Sequence, residues 1–227
     1  MERPFIFINS AMSADGKIST KERKQVRISG PVDFNRMDGL RAGSDAIMVG
    51  IGTIMADDPS LTVKSAALRK KRMDRGLEEN PVRIVVDSKA RTPEDADIFK
   101  KGSGKRMIIV SESAPSDRLS VLAEKAEIIV AGKDIVDLTQ AMEELKTRGI
   151  KRLMLEGGAT LNWGMFSVGL VDEIYTFVGN LIIGGKDAPT FVDGEGFLEN
   201  ATIKLELINT EKIEEGVLLK WKVHYDK

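Results

Sequence analysis

Apolar runs of strand length alternate with segments of helical period along most of the chain. PFIFIN (4 to 9), SDAIMVG (44 to 50), VRIVVD (82 to 87), RMIIV (106 to 110), EIIVA (127 to 131) and RLMLE (152 to 156) are short and largely aliphatic or β-branched. Gly, Asp, Ser or Pro bound them, so they predict strands. Runs this continuous predict strands covered on both faces. Between them, residues 31–42 predict a helix with Pro31 in its first turn. Residues 135–146 predict a helix with Ile135, Leu138, Met142 and Leu145 on one face, and 159–168 another with Leu161, Met165 and Val168 in register.

Near the C-terminus the period changes from continuous runs to alternation. Residues 172–178, 202–209 and 216–225 read with period two. The last places Val217, Leu219, Trp221, Val223 and Tyr225 on one face, with Leu218, Lys220, Lys222 and His224 on the other. Glu214-Glu215-Gly216 offers a hairpin turn between the final two strands. The fold class expected is α/β: a mixed, mostly parallel sheet flanked by helices, with antiparallel C-terminal strands, in a single domain spanning residues 1–227. The polar stretch 64–80 reads as a solvated, partly helical loop insertion. If helices cover only one side of the last strands, Ile208 and Leu218 are left exposed, which predicts a homodimer.

Composition narrows the chemistry. The 34 Lys and Arg against 35 Asp and Glu give a net charge of -1, so no global basic field draws in nucleic acid. There is no cysteine and a single histidine, His224, which removes thiol nucleophiles, disulfides and Cys-based zinc sites. No metal is expected. The N-terminal apolar run is too short for a signal peptide and no stretch approaches the length of a membrane span, so a cytoplasmic protein without a membrane partner is expected.

Open α/β sheets bind ligands outside the carboxyl ends of their parallel strands, and this chain's unusual residues sit there. EGGAT (156 to 160) follows a strand and opens a helix. Gly157 and Gly158 lack side chains, so their amides and those of Ala159 and Thr160 can approach a pyrophosphate closely. The bland alternative is a tight strand-to-helix turn that needs no ligand. Gly50-Ile51-Gly52 begins a G-x-G-x-x-G, but Met55 occupies the third glycine position, which disfavours a Rossmann dinucleotide domain. Asp87, Ser88, Lys89 and Arg91 suit either the 2′-phosphate of NADPH or a solvated loop. Asp58 before Pro59 and Asp15 before Gly16 carry turn signals that need no function, and Asn9, Met12 and Asp15 are expected to meet a ligand only through the shape of their loop.

MSADGKIS (12 to 19), LRAGSDAIMVGIGTIMADDPSLTV (40 to 63), PVRIVVDS (81 to 88) and LEGGATL (155 to 161), in that order, resemble the riboflavin-biosynthesis reductase family, which has a dihydrofolate-reductase-like fold. The likeness is to its archaeal and fungal type. The resemblance implies NADPH as cofactor, with NADH as a possible substitute, and 2,5-diamino-6-ribosylamino-4(3H)-pyrimidinone 5′-phosphate as a substrate whose ribosylamine is reduced to a ribitylamine. It places Thr53 and Asp57 at the nicotinamide and its ribose, Ser88 at the adenosine end, Val130 beside the cofactor and Gly157 to Thr160 at its phosphates. On the substrate side it places Gln25, Arg41, Leu61, Lys64 and Glu156, with Arg41 and Lys64 as partners of the 5′-phosphate. Lys64 stands where bacterial relatives typically carry arginine, a point charge in place of a bidentate fork. Asp57 or Glu156 stabilises cationic character at ribose C1′ or passes a proton to the sugar oxygen. Arg41 also suits a helix end, where it would complement the dipole. The H-x-E and P-C-x-x-C signature of the zinc deaminase attached to bacterial relatives does not occur, so only the reductase is expected. A reductase of the deaminated pyrimidinedione, a dihydrofolate reductase and a non-catalytic nucleotide-binding module are the alternatives.

Overall fold

A computed structural model describes residues 2–24 and 26–225. In chain order the elements are β1 (Phe5–Met12), α1 (Pro31–Ala42), β2 (Ala46–Gly50), α2 (Ile51–Asp57), α3 (Ala66–Met73), β3 (Val82–Val86), α4 (Asp97–Lys100), β4 (Arg106–Val110) and α5 (Ser116–Ala123). They continue with β5 (Glu127–Val130), α6 (Leu138–Thr147), β6 (Arg152–Leu155), α7 (Ala159–Ser167), β7 (Glu173–Val178), β8 (Lys204–Ile213) and β9 (Gly216–His224). The chain divides into two compact units, one of residues 1–4 and 37–154, the other of residues 5–36 and 155–227.

In the first unit the strand order is β5-β4-β3-β2-β6. β2, β3, β4 and β5 pair in parallel, with Met48 beside Ile84, Ile84 beside Met107 and Ile108 beside Ile128. Successive residues Ile47, Met48 and Val49 are all buried, as are Ile84 with Val85 and Ile108 with Ile109. That explains the unbroken apolar runs, because both faces of these strands need apolar side chains. One core cluster joins Ile108 and Val110 of β4 to Leu122 of α5, and each fully buried leucine contributes on the order of 2 kcal/mol. α6 starts at Leu138 because the Asp137 side chain accepts from the Gln140 amide at 3.0 Å. Ile135, expected on that helix's apolar face, therefore lies outside it and is 73% exposed; Ala141, Met142 and Leu145 form the buried face. The 64–80 stretch contains α3, capped by Ser65, and Arg72 ties it down by donating to the carbonyls of Ala42, Ser44 and Glu78.

The strand order of the second unit is β1-β7-β9-β8. β1 and β7 are parallel, and β7–β9 and β8–β9 are antiparallel, the mixed character that the late change of period predicted. Glu214 and Glu215 form the turn that pairs Ile213 with Gly216. A Cβ on Gly216 would come within 2.2 Å of the Phe177 ring, so this turn must close on glycine. Leu218, expected to be exposed, packs with Phe177 and Ile213 and is buried. The simple two-face alternation is thereby broken: Val217 is exposed although Val223, on the same predicted face, is buried. Ile208 is exposed as expected, at a register shift between Leu207 and Asn209. α7 ends at Ser167, so Val168 sits at its C-cap, exposed, instead of extending the apolar stripe of Leu161 and Met165.

Candidate functional site

The first unit gathers its cations around the segment from Ser60 to Lys64. Asp38 of α1 spends both carboxylate oxygens on backbone amides, those of Lys64 at 2.6 Å and Ser65 at 2.8 Å, which fixes the segment's path. Arg41, in the last turn of α1 and buried, donates to the Thr62 carbonyl at 3.0 Å. The Lys64 ammonium donates to Ser60 Oγ at 2.8 Å and Thr62 Oγ1 at 2.9 Å. Removal from water, with repulsion from Arg41 and Lys101, lowers the Lys64 pKa against the opposing pull of Asp38 and Asp97. Clustered cations held by neutral oxygens suit an incoming anion. Leu61, between the two hydroxyl residues, is buried with a left-handed backbone at φ 52°. Ser60 and Thr62 were not among the residues singled out from the sequence. Period-two spacing at 60, 62 and 64 was the available signal.

α2 carries Thr53 and Asp57 one turn apart, so they share a helical face. Asp57 lies on the surface, yet partial desolvation of its carboxyl raises its pKa. Its neighbour Asp58 caps α2 in a left-handed conformation and accepts from the Asp97 amide at 2.8 Å, a structural use of that carboxylate. At the end of β3, Asp87 is fully buried and accepts from the amide and hydroxyl of Thr92 at 2.7 and 2.8 Å. Ser88 Oγ accepts from the Val136 amide at 3.0 Å, which leaves its own proton to donate. Lys89 donates to Ser113 Oγ, Arg91 Nε lies 3.7 Å from Asp87, and Val130 is 49% exposed at the end of β5.

In the second unit, Glu156 is half-buried and precedes the Gly157–Gly158 pair, whose peptide bond is cis. Gly158 caps α7, Ala159 is buried and Thr160 is exposed at its first turn. Gly157 has φ +98°, a backbone that favours glycine, and a Cβ built there meets nothing within 4 Å. Open space over a glycine at a helix's amide end fits an approaching phosphate. Asn9 accepts from Arg36, itself paired with Asp33, and Met12 closes β1. Asp15 accepts from Ser13 Oγ and from the amides of Ile183 and Gly184, which hold its carboxyl down to about 2. Gln25 lies outside the described residues. Among those described, no helix is long and apolar enough to cross a membrane, and no His/Cys/Asp/Glu group could hold a metal.

The fold defines an α/β protein with a mixed, mostly parallel sheet and antiparallel C-terminal strands. A pyrimidine reductase-like protein from Corynebacterium diphtheriae shares the fold, with TM-score 0.84, 21% identity and coverage of 98% of this chain and 93% of the other. The chain belongs to the family described as the RibD C-terminal domain, whose model matches residues 4–219, and is an oxidoreductase of riboflavin biosynthesis. It is 48% identical over 214 residues to the 2,5-diamino-6-ribosylamino-4(3H)-pyrimidinone 5′-phosphate reductase of Archaeoglobus fulgidus, covering 94% of this chain and 95% of that one. The reductase of the same description from Methanothermobacter thermautotrophicus is 46% identical over 222 residues, covering 97% of this chain and 99% of that one.

Proposed function

We propose that this protein catalyses NADPH-dependent reduction of the ribosylamino group of 2,5-diamino-6-ribosylamino-4(3H)-pyrimidinone 5′-phosphate to the ribitylamino product, before deamination. The observation that carries the reading is the cationic Arg41–Lys64 cluster, suited to a 5′-phosphate, in a chain nearly half identical to reductases described by that substrate. Leu61 and Gln25 complete the assignment on the substrate side.

When bound, NADPH would supply the hydride that ribose C1′ receives. The protein's part is to hold both partners in line, exclude water and manage charge. Ring opening requires a proton at the sugar oxygen as the C1′–N imine forms. Asp57, whose carboxyl pKa is raised, is fitted to give that proton, and Glu156 to stabilise the cationic carbon that accepts hydride. Thr53 and Asp57 would meet the nicotinamide and its ribose, Ser88 the adenosine end, Val130 the flank of the cofactor, and residues 157–160 its phosphates. Residues 1–227 act as one reductase domain in the cytoplasm. Leu205, Leu207 and Ile208 of β8, 43 to 49% exposed, support a homodimer.

The test follows loss of the reduced cofactor's near-ultraviolet absorbance with the diamino substrate, its deaminated counterpart and dihydrofolate, each with NADPH and with NADH. Oxidation of NADPH with the diamino compound, yielding a ribityl product by mass, is the expected result. Preference for the deaminated compound would place the enzyme after deamination, and NADPH binding without turnover would overturn the catalytic reading. Light scattering reads the oligomeric state, a dimer mass being expected.

A further inference from the structure

The oxygens around Lys64 form a closed triangle. Lys64 Nζ lies 2.8 Å from Ser60 Oγ and 2.9 Å from Thr62 Oγ1, and the two hydroxyl oxygens are 3.0 Å apart. Ser60 and Thr62 are 8% and 7% exposed, whereas Lys64 reaches the surface. Proton counting then fixes what the triangle can offer. An ammonium has three donors and no acceptor, and each hydroxyl has one donor. The ammonium must donate along both of its edges, and the hydroxyl edge consumes one O–H. One ammonium N–H and one hydroxyl O–H remain, and among the described residues neither has a protein acceptor.

We propose that Ser60 and Thr62 are positioning residues that lock the Lys64 ammonium and join it in a two-donor fork, one N–H and one O–H, for the oxygens of a phosphate monoester beside Arg41. A lone lysine presents a rotating point charge on a flexible stem, whereas a fork selects an anion with two adjacent oxygens. Two buried acceptors remove the rotation. Burial, with Arg41 from α1 and Lys101 just beyond α4, lowers the ammonium's pKa, while Asp38 from α1 and Asp97 from α4 raise it. The inference rests on the proposed substrate and adds two side chains and a donor count to it.

The test uses the full-length S60A/T62V and T62S variants. With the phosphorylated pyrimidine, S60A/T62V should raise KM on the order of tenfold while kcat stays within about twofold, because the fork serves binding rather than chemistry. The dephosphorylated pyrimidine should show no such rise. T62S, which keeps the hydroxyl, should restore the wild-type KM. The alkaline limb of the 1/KM profile should move to lower pH by about one unit in S60A/T62V, since Lys64 loses both acceptors while its cationic neighbours remain. Parallel losses with both pyrimidines, or an unmoved alkaline limb, would overturn the inference.

Inorganic phosphate titrated calorimetrically reads the fork without turnover: about tenfold weaker binding by S60A/T62V supports it, and equal binding sinks it. A wild type that binds phosphate but oxidises no NADPH would overturn the proposed reaction and leave the fork standing. Should the double variant fail to fold, S60A alone is expected to weaken phosphate binding about threefold, and no change there overturns the proposal.

Discussion

Two cations of the first unit meet the same residue and end in opposite states. Arg83, on β3, is fully buried and donates to the carbonyls of Ile98, Lys101, Gly102 and Ser103 at 2.6 to 3.2 Å, with Ser60 O at 3.4 Å. Burial and the nearby Arg106 push its pKa down to about 10. Lys64 takes the side chain of Ser60 instead of its carbonyl. Backbone carbonyls only accept, so donors spent on them are spent for good. Lys64 has three donors and two acceptors beside it, so one N–H is left over at the surface, whereas the donor left on Arg83, its Nε–H, is buried. The surrounding oxygens and the exposure of the leftover donor separate a cation enclosed by the fold from one that reaches the surface.

The carboxylates repeat the contrast. Asp15 is supplied with three donors and acidified, whereas Asp57 is desolvated and its pKa is raised.

The strongest challenge to this contrast is Arg83→Met. It should cost at least about 3 kcal/mol in denaturant unfolding, because several buried carbonyls lose their donor, while KM for the phosphorylated substrate stays unchanged in the folded protein. A raised KM would show that Arg83 belongs to the site. Asp57→Asn should lower kcat about 100-fold if its proton is used. The sign for stability is opposite. A raised folded pKa means that ionisation is disfavoured in the folded state, so removing the charge should stabilise the protein at neutral pH, with the gain vanishing as pH falls below the ordinary carboxylate range. Unfolding midpoints across pH check this. Lys64→Ala should raise KM about 30-fold with little change in melting temperature, as expected of a ligand-facing charge. Melting curves that fall as far as those of Arg83→Met would erase the distinction. Asp15→Asn should have the smallest effect. Because its folded pKa is about 2 against an ordinary 3.8, the stability it contributes is full above the ordinary value and is lost as pH falls towards 2. The variant should flatten the acid limb of stability only in that window.

What could be read in advance follows the same logic of local against distant causes. RMIIV became β4 at both boundaries, and residues 31–42 became α1, because an unbroken apolar run and a leading proline are local signals. α2 and α5 escaped detection since neither has a side-chain cap, and α2 carries Gly52 inside it. Leu218 was assigned to the wrong side because its burial depends on Phe177, which lies far off in sequence. The glycine pair at 157–158 was legible as a candidate from its composition alone. The Ser60–Thr62–Lys64 triangle was not, because the path of its segment is set by Asp38 on α1, distant in sequence.

The Arg83 cage also bears on how the chain is made. The carbonyls that follow Arg83 lie 15 to 20 residues beyond it, and the one that precedes it lies 23 residues back. Closing loops of that length costs little entropy, and doubling them would add only about 0.6 kcal/mol. A nascent chain that has cleared the ribosome's exit past residue 103 therefore already holds every partner its arginine requires. The burial of this arginine can finish while residues 155–227 are still being translated.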